Sequence, residues 1–296
     1  MDLKTYLGEK RIQVEEALES FMLQPEGLLD HHIKAMRYSL FAGGKRIRPV
    51  LCLAVSEALH VDPSPYLRLA CSLECIHTYS LIHDDLPAVD NDDLRRGKPT
   101  NHKVFGEAEA ILAGDSLLTY AFELLSAPIL TCGLKSEDQL RIIAIIARAI
   151  GPLGMVGGQS LDIKSEGQKI SFETLQYLHS CKTGALITAA VQTGAVIGNA
   201  ADEQFAALTT YGKQIGLAFQ IVDDLLNVEG TAEQLGKAVG SDAKLDKATY
   251  PSFFGVEKTR EMAKAAVEGA IDSLTNFDNQ ADPLRELARY IYYRKR

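Results

Sequence analysis

The helical patterning of this chain constrains its fold more than any other feature of the sequence. Runs rich in Ala, Leu, Ile and Glu are separated by short Gly or Pro breaks, and the alternating pattern of strands is scarce. The pattern predicts helices at 3–22, 28–41, 46–59, 64–86, 104–127, 136–157, 172–199, 203–229, 251–276 and 283–294. We therefore expect a single all-α domain, residues 1–296, formed by one large bundle of about ten or more helices.

The first of two aspartate clusters lies where an apolar helical run meets a proline. Asp84 and Asp85 follow Ser-Leu-Ile-His, and Asp90 comes after Pro87. Because a proline disfavours helical geometry at the residue before it, we expect the helix to end here and Asp90 to fold back towards Asp84. An acidic run alone is more often a solvated helix end, but here a basic cluster follows directly.

The second cluster lies inside a predicted helix. Asp223 and Asn227 are i and i+4 and share a face, whereas Asp224 points elsewhere. Gln220 lies one turn earlier, where it can hydrogen-bond the same ligand. An Asp-Asp pair in a helix is by itself compatible with ion pairs to nearby lysines.

Taken together, the clusters indicate a magnesium–diphosphate site between two helices. Clustered carboxylates repel each other unless a cation lies between them. Hard oxygen ligands suit Mg²⁺, which usually shares its coordination with substrate phosphates. Irregular segments follow each cluster, at 87–103 and 230–250, and both contain basic residues. Loops of this length are more often functional than decorative.

Basic residues are local rather than arranged as a stripe. Lys45 and Arg48 lie in a Gly-Gly-Lys-Arg-Ile-Arg-Pro turn whose amides and helix end would hold an anion. A C-capping glycine followed by surface charge explains that turn equally well in isolation. Asp92 and Asp93 are interpreted as surface residues that balance Arg95 and Arg96. Other candidate donors, each of a type that is usually only solvated, are Lys182, Thr183, Lys237 and Lys247.

Composition excludes several functional classes. A net charge of −8 argues against nucleic-acid binding. The five cysteines form no CxxC pair, so we expect buried reduced thiols and a cytoplasmic protein. The charged N-terminus lacks an apolar signal core, and no uncharged apolar stretch is long enough to span a membrane.

Residues 77–102, which begin His-Thr-Tyr-Ser-Leu-Ile-His-Asp-Asp-Leu-Pro, resemble the first aspartate-rich motif of the trans-prenyltransferases. The form matches bacterial farnesyl diphosphate synthases, with four residues between the second and third aspartates. Further segments resemble the family in the same order: Gly43–Pro49, Gly157–Gln159, Lys182–Gly184, Phe219–Asp224, Gly236–Lys237 and Asp246–Pro251. The resemblance covers residues 28 to 293 and implies an isoprenoid-synthase bundle around a central cavity.

The resemblance also implies roles for individual residues. Isopentenyl diphosphate would be bound by Lys45, Arg48, His77 and Arg96. The allylic diphosphate would be surrounded by Arg95, Lys182, Thr183, Gln220, Lys237 and Lys247. Three Mg²⁺ ions, for which Mn²⁺ can substitute, would be held by Asp84, Asp90 and Asp223. The full catalytic set would be Asp84, Asp85, Asp90, Arg95, Lys182, Asp223 and Asp224. A homodimer is usual for the family.

Two positions modify these expectations. Asn227 replaces the aspartate that usually ends the second motif, so the site loses one negative charge and weaker Mg²⁺ affinity is expected. Tyr79, next to Ser80 and about one turn before Asp84, is bulky enough to be the floor for a growing chain, which favours a C15 product. Core packing is the alternative role for Tyr79. His77 is likewise open to reading as a satisfied core histidine.

Four other interpretations compete. A geranylgeranyl (C20) or longer-chain synthase differs only at the floor of the pocket. A terpene cyclase would leave the Gly43–Arg48 segment without a role. A non-catalytic subunit of a hetero-oligomeric synthase would be expected to lose aspartates, which are all present here. A purely structural bundle does not explain two paired-aspartate helices beside ordered basic segments.

Overall fold

The computed structural model describes residues 2–127, 133–229 and 248–294. This part of the chain is a bundle of α-helices with one small hairpin, as the all-α prediction required. The helices are α1 Leu3–Phe21, α2 Asp30–Leu40, α3 Ile47–Ala58, α4 Leu67–Asp84, α5 Asn101–Phe105, α6 Glu107–Ser126, α7 Ser136–Ile150, α8 Met155–Ser165, α9 Phe172–His179, α10 Ala185–Ile197, α11 Asp202–Glu229, α12 Tyr250–Ser273 and α13 Asp282–Tyr293. Short 3₁₀ turns lie at Gly27–Leu29, Ser64–Tyr66 and Asn279–Ala281, and a π-helical turn at Ser180–Gly184.

Helix ends follow local sequence chemistry. The Asp2 side chain accepts from the amides of Lys4 and Thr5 at 3.3 and 3.2 Å and so begins α1. Thr249 and Ser252 form a reciprocal capping box at the start of α12. These bonds satisfy amides that the first turn of a helix leaves without partners.

The core is formed by α4 packed against α6, α10 between α3 and α11, and α12 along α11. Its buried side chains are mainly Leu, Ile, Val and Ala, each large one worth about 2 kcal/mol. A smaller cluster below the second aspartates comprises Leu175, Ile221, Val222, Leu225, Tyr250 and Ala263. Both aspartate-bearing helices are therefore anchored by apolar packing near their acidic residues.

Cysteine burial agrees with the expectation of reduced thiols. Cys52, Cys71, Cys75 and Cys181 are free and buried. Cys132 lies outside the described residues.

Two predicted helices are divided in the structure. The expected helix 136–157 ends at Ile150, and α8 begins at Met155 after a turn. A side chain on Gly154 would place Cβ 2.1 Å from the Ala149 oxygen, so the glycine permits this turn. The predicted helix 172–199 is likewise divided, by the π-helical turn at Ser180–Gly184.

The segment Ser136–Ser165 is apolar enough to be tested as a membrane span, with a mean hydropathy of 1.7 over its best window. By length and composition it is the one such candidate in the described chain, and core helices pass the same test. The structure divides it into helices of 15 and 11 residues. A membrane crossing needs about 20 helical residues, so neither piece is long enough.

The segment 87–103, expected to be irregular, contains a small hairpin. Its strands, β1 Leu94–Arg95 and β2 Lys98–Pro99, pair in antiparallel register, and α5 begins at Asn101. Arg96 and Gly97 form the turn, both with positive φ. The hairpin therefore presents the two arginines of this basic cluster on an ordered element.

Candidate active site

The first aspartate cluster folds back at the end of α4 as the proline predicted. The amide of Asp90 donates to the main-chain oxygen of Asp84 at 2.9 Å. Burial raises the pKa of Asp84 to about 6; Lys182 opposes this increase, and Asp90 adds to it. Asp84 and Asp90 therefore lie side by side, with a lysine from a distant part of the chain facing them.

Asp85 holds Arg95 instead of facing the cavity as an isolated acid. Arg95 Nε donates to Oδ1 and Oδ2 of Asp85 at 2.7 and 2.8 Å, and the Asp85 side chain is only 4% exposed. Arg95 also lies 3.5 Å from Asp92. Burial raises the pKa of Asp85, while the Arg95 guanidinium lowers it. This bidentate contact orients the guanidinium at the mouth of the site.

The interpretation of Asp93 is wrong as to its partner. Its carboxylate pairs with Lys103 at 2.8 Å, whereas Arg96 donates to the main-chain oxygen of Gly43. A side chain on Gly44 would place Cβ 2.8 Å from the Arg96 guanidinium carbon. The hairpin arginine thus packs directly on the glycine turn before α3, which only glycine allows.

The basic turn itself rests on a buried ion pair. Arg46 adopts a left-handed conformation with φ of 54° and donates to Glu74 at 2.7 Å and to the Leu40 oxygen at 2.8 Å. Both charged side chains are nearly inaccessible, at 1% and 2% exposure. Lys45 lies over the Tyr290 ring at 5.6 Å. The Arg46–Glu74 pair fixes the turn and does not involve its neighbours Lys45 and Arg48.

The buried Arg48 side chain interacts electrostatically with Arg96 on the hairpin and with Asp223 on α11. Burial lowers the pKa of Arg48 to about 10; Glu74 and Asp223 oppose that change, and Arg96 adds to it. His77, one of the expected ligands, has a pKa well below its usual range because it is buried beside Arg48 and Arg96. The imidazole is therefore neutral at physiological pH, next to a cluster of guanidinium groups.

Lys182 and Thr183 lie on the π-helical turn, a feature that often marks functional sites. Lys182 Nζ contacts Asp162 at 2.6 Å, and Thr183 donates to Gln220 Oε1 at 3.1 Å. A side chain on Gly158 would place Cβ 2.5 Å from the Lys182 amide. The Gly-Gly-Gln segment of α8 therefore allows this turn to approach closely.

The second aspartate cluster separates into two roles. Asp224 is 3% exposed and accepts from Gln220 Nε2 and the Tyr250 amide, both at 2.9 Å. It ties α11 to the start of α12. Asp223 is 45% exposed and contacts the guanidinium of Arg294. Asn227 is buried at 6% exposure.

Three contributors to this region were missed by sequence reasoning. Asp162 holds Lys182, Arg294 contacts Asp223, and His83 Nε2 lies 3.0 Å from the Ile111 oxygen. A side chain on Gly114 would lie 2.1 Å from that His83 nitrogen, so a glycine inside α6 was an available signal. Asp162 and Arg294 are single charges whose partners are distant in sequence, and no local pattern indicates them.

Two expected site lysines, Lys237 and Lys247, lie outside the described residues, as do Gly236 and Asp246. Within the described ranges, no three His, Cys, Asp or Glu side chains are grouped closely enough to hold a metal ion alone. The acidic donors that are present, Asp84, Asp90 and Asp223, are hard oxygen ligands on two elements. Such a set fits Mg²⁺ ions that complete their coordination with diphosphate oxygens and water.

A helical bundle with aspartate pairs on two helices and cations around them defines a diphosphate-handling class of enzyme. The chain belongs to the polyprenyl synthetase family, whose sequence profile matches residues 30–287. It is thus a short-chain trans-prenyltransferase acting on isoprenoid diphosphates, in a family that generally uses divalent metal ions.

Named relatives differ in the product that their names state. The chain is 49% identical over 278 residues to a farnesyl diphosphate synthase of Geobacillus stearothermophilus, covering 94% of this chain and 93% of the relative. It is 48% identical over 295 residues to a chloroplastic geranylgeranyl pyrophosphate synthase of Catharanthus roseus, covering 99% and 82%. A crystal structure of an FPP/GFPP synthase from Zymomonas mobilis superimposes with a TM-score of 0.88 at 40% identity, covering 98% and 99%.

Proposed function

We propose that this prenyltransferase condenses isopentenyl diphosphate with dimethylallyl or geranyl diphosphate to give farnesyl diphosphate, a C15 product. The observation that carries the C15 assignment is the buried ring of Tyr79 below Asp84. Tyr79 is 5% exposed, and burial raises its pKa to about 12, with Asp84 adding to the shift. Its ring makes an edge contact with His83, with centroids 5.7 Å apart. Because His83 is itself held by α6, the floor is rigid.

The cations around the cavity support binding of two diphosphates. Arg95 and Lys182, beside the first aspartates, are placed for the allylic diphosphate, and their partners Asp85 and Asp162 orient them. Arg48 and Arg96, with Lys45 on the same turn, are placed for isopentenyl diphosphate. Neutral His77 can hydrogen-bond without adding charge. Holding both substrates side by side would supply a large part of the rate acceleration of the condensation.

Magnesium held by Asp84, Asp90 and Asp223 would neutralise the allylic diphosphate as its C–O bond breaks. The double bond of isopentenyl diphosphate then attacks the allylic carbon, and the departing diphosphate accepts the proton that is lost. The apolar floor and the packed helices keep water from the cation. We infer that three ions take part and that Mn²⁺ can replace them.

A C20 product is the second candidate, supported by relatives whose names state geranylgeranyl diphosphate synthesis. The two candidates differ at the floor of the cavity, so product length discriminates between them. Purified protein would be given Mg²⁺, labelled isopentenyl diphosphate and either allylic starter, and the dephosphorylated products would be sized by chromatography. We expect a C15 alcohol from both starters. A C20 alcohol would establish the second candidate, and absence of elongation would favour a non-catalytic subunit.

The floor has its own test. We expect Tyr79→Ala to lengthen the product, because the tail could then pass below Ser80. Tyr293→Ala is the matched control, since that tyrosine is 75% exposed at the end of α13. An unchanged C15 product from Tyr79→Ala, with the control also unchanged, would show that Tyr79 only packs the core.

We further propose that the enzyme is a homodimer. Apolar side chains are exposed along α6 and at the start of α8: Ile111 and Leu112 at 44% and 53%, and Leu153 and Val156 at 81% and 51%. A second copy would cover such a surface. Light scattering of the eluted protein at twice the chain mass is the expected result, and a monomer would contradict it. The buried free thiols also support the proposed cytoplasmic location.

A further inference from the structure

The side chain of Arg294, just beyond the end of α13, is buried against α11. Its guanidinium is 5% exposed, contacts Asp223 Oδ1 and donates to the Phe219 oxygen at 3.1 Å. The guanidinium carbon lies 3.8 Å from the centroid of the Phe219 ring. This arginine therefore contacts a carboxylate that the proposed function assigns to a metal ion.

The contact differs from the structural arginine pair elsewhere in the fold. Arg46 pairs with Glu74, and both are excluded from solvent, at 1% and 2% exposure. Arg294 pairs with Asp223, whose side chain is 45% exposed. A carboxylate that open to solvent can exchange one cationic partner for another at modest cost. The Arg294–Asp223 pair therefore has the form of an exchangeable contact at the edge of a cavity.

The negative charge of Asp223 favours a cationic partner such as Arg294. Asp223 is 45% exposed, and Asn227, one turn later on the same helix, contributes no charge. Arg48 also acts electrostatically on this carboxylate from the opposite element. A guanidinium and a divalent cation cannot both occupy the same side of Oδ1. An ion that coordinates Asp223 therefore competes with Arg294 for the charge and lone pairs of this carboxylate.

We propose that Arg294 is the positioning residue that occupies the Asp223 carboxylate in the unloaded enzyme and competes with the divalent cation for it. The inference rests on the metal-holding role of Asp223 in the proposed function. Phe219 keeps the guanidinium nearby when the ion binds, because its ring and main-chain oxygen are contacts that do not depend on Asp223. Metal affinity, rather than fold stability, is the quantity that Arg294 sets.

The test is Mn²⁺ binding followed by electron paramagnetic resonance, with Mn²⁺ alone and with Mn²⁺ plus inorganic pyrophosphate. Arg294→Gln is expected to tighten binding of the weakest ion about fivefold, the size of a partly exposed ion pair. Arg289→Gln is the matched control on α13, because Arg289 is 46% exposed and pairs only with Glu286 among the contacts seen. It should leave Mn²⁺ affinity unchanged.

A second variant covers the case in which Arg294→Gln does not fold. Phe219→Leu removes the ring below the guanidinium without changing Asp223, and should tighten Mn²⁺ binding in the same direction by a smaller factor. Unchanged or weaker Mn²⁺ binding in a folded Arg294→Gln protein would overturn the inference while leaving the proposed function intact. Failure of the parent protein to bind Mn²⁺ even with pyrophosphate would overturn both.

Discussion

At the end of α4 the first aspartate cluster faces cations from neighbouring elements, whereas on α11 the second cluster is held by its own helix, by α12 and by Arg294. Asp84 lies beside Asp90 and opposite Lys182, at a position where burial raises its pKa to about 6. Asp223 is half-exposed and paired with a guanidinium. In the first cluster burial therefore disfavours the ionised form of Asp84, whereas in the second cluster Asp223 is paired with a cation.

The clusters nevertheless share one division of labour. In each Asp-Asp pair the first carboxylate is the more exposed one, and the second is buried and bound within the protein. Asp85 holds Arg95, and Asp224 holds Gln220 and the Tyr250 amide. Consecutive helical residues point about 100° apart, so the second carboxylate of each pair can be bound within the protein while the first remains accessible for the proposed ligand role. The two Asp-Asp pairs therefore show the same arrangement.

Removal of the cavity-facing carboxylates should have the largest effect. We expect Asp84→Asn to lower kcat by about 10³-fold and Asp223→Asn by about 10²-fold, within the range for loss of one electrostatic contact to a transition state. The first loss should be larger because Asp84 is the more buried carboxylate and lies beside Asp90, with which it would share an ion in the proposed function. Steady-state kinetics at saturating Mg²⁺ would measure both, with Asp93→Asn as the control, because Asp93 pairs with Lys103. Equal losses would show that the clusters are functionally equivalent.

The next largest effects should come from removal of the buried carboxylates, Asp85 and Asp224, and these effects should differ between the two clusters. Asp85→Asn leaves Arg95 without its buried partner and should cost about 3 kcal/mol of unfolding free energy. It should also lower kcat, because Arg95 loses its orientation. Asp224→Asn loses hydrogen bonds rather than an ion pair and should cost about 1 kcal/mol.

Urea unfolding of the two supporting variants would measure these costs. Asp93→Asn is the control, since its exposed pair with Lys103 should contribute little to stability. If Asp224→Asn proved the more damaging variant, the support at α11 would be the stronger one.

The raised pKa of Asp84 makes the unloaded enzyme pH-sensitive. Its carboxyl has an ordinary pKa of 3.8 and a folded pKa of about 6, so the folded state binds the proton more tightly. Stability therefore falls as pH rises through this window, and the full cost is present above pH 6. Asp84→Asn should raise the metal-free unfolding free energy by about 2 kcal/mol near neutral pH. The gain should shrink as pH falls from about 6 to 3.8 and disappear below the ordinary pKa of 3.8.

Thermal melts without divalent ions, run across this pH range, would check the Asp84 effect. Asp223→Asn provides the contrast, because Asp223 is already paired with Arg294 and its loss should not stabilise the protein. Stabilisation of both variants to the same extent would remove the electrostatic difference between the clusters.

The smallest expected effect comes from restoration of the missing charge. Asn227→Asp places a second carboxylate one turn after Asp223 and should lower the Mg²⁺ concentration for half-maximal activity about threefold, equivalent to well under 1 kcal/mol. Asn199→Asp, on an exposed turn after α10, is the control for added charge. A Mg²⁺ titration in which Asn227→Asp binds no more tightly than the parent would refute the expected weakness of this site.

Helix positions and the aspartate fold-back followed from local rules, and the structure agrees with them. The division between α7 and α8 did not, because Gly151 and Gly154 are compatible both with a tightly packed helix and with a turn. The deciding fact is the lack of room for Cβ near the Ala149 oxygen. Local pattern alone does not contain that distance.

The partners of charged side chains were predictable only in part. Asp92 lies near Arg95 as expected, but Asp93 pairs with Lys103, beyond the hairpin. Asp162 and Arg294 reach the site from α8 and from the residue after α13, and each is one charge among many in the sequence. Only the packing of distant helices shows which of these charges are buried at the site.

The buried pair of Arg46 and Glu74 affects how the glycine-rich turn responds to rising temperature. Hydration of charged groups becomes less favourable as temperature rises, so the cost of keeping this pair out of water decreases on warming. Apolar burial gains little over the same range. The glycine-rich turn that carries Lys45 and Arg48 should therefore stay ordered at temperatures where the surrounding helices begin to loosen.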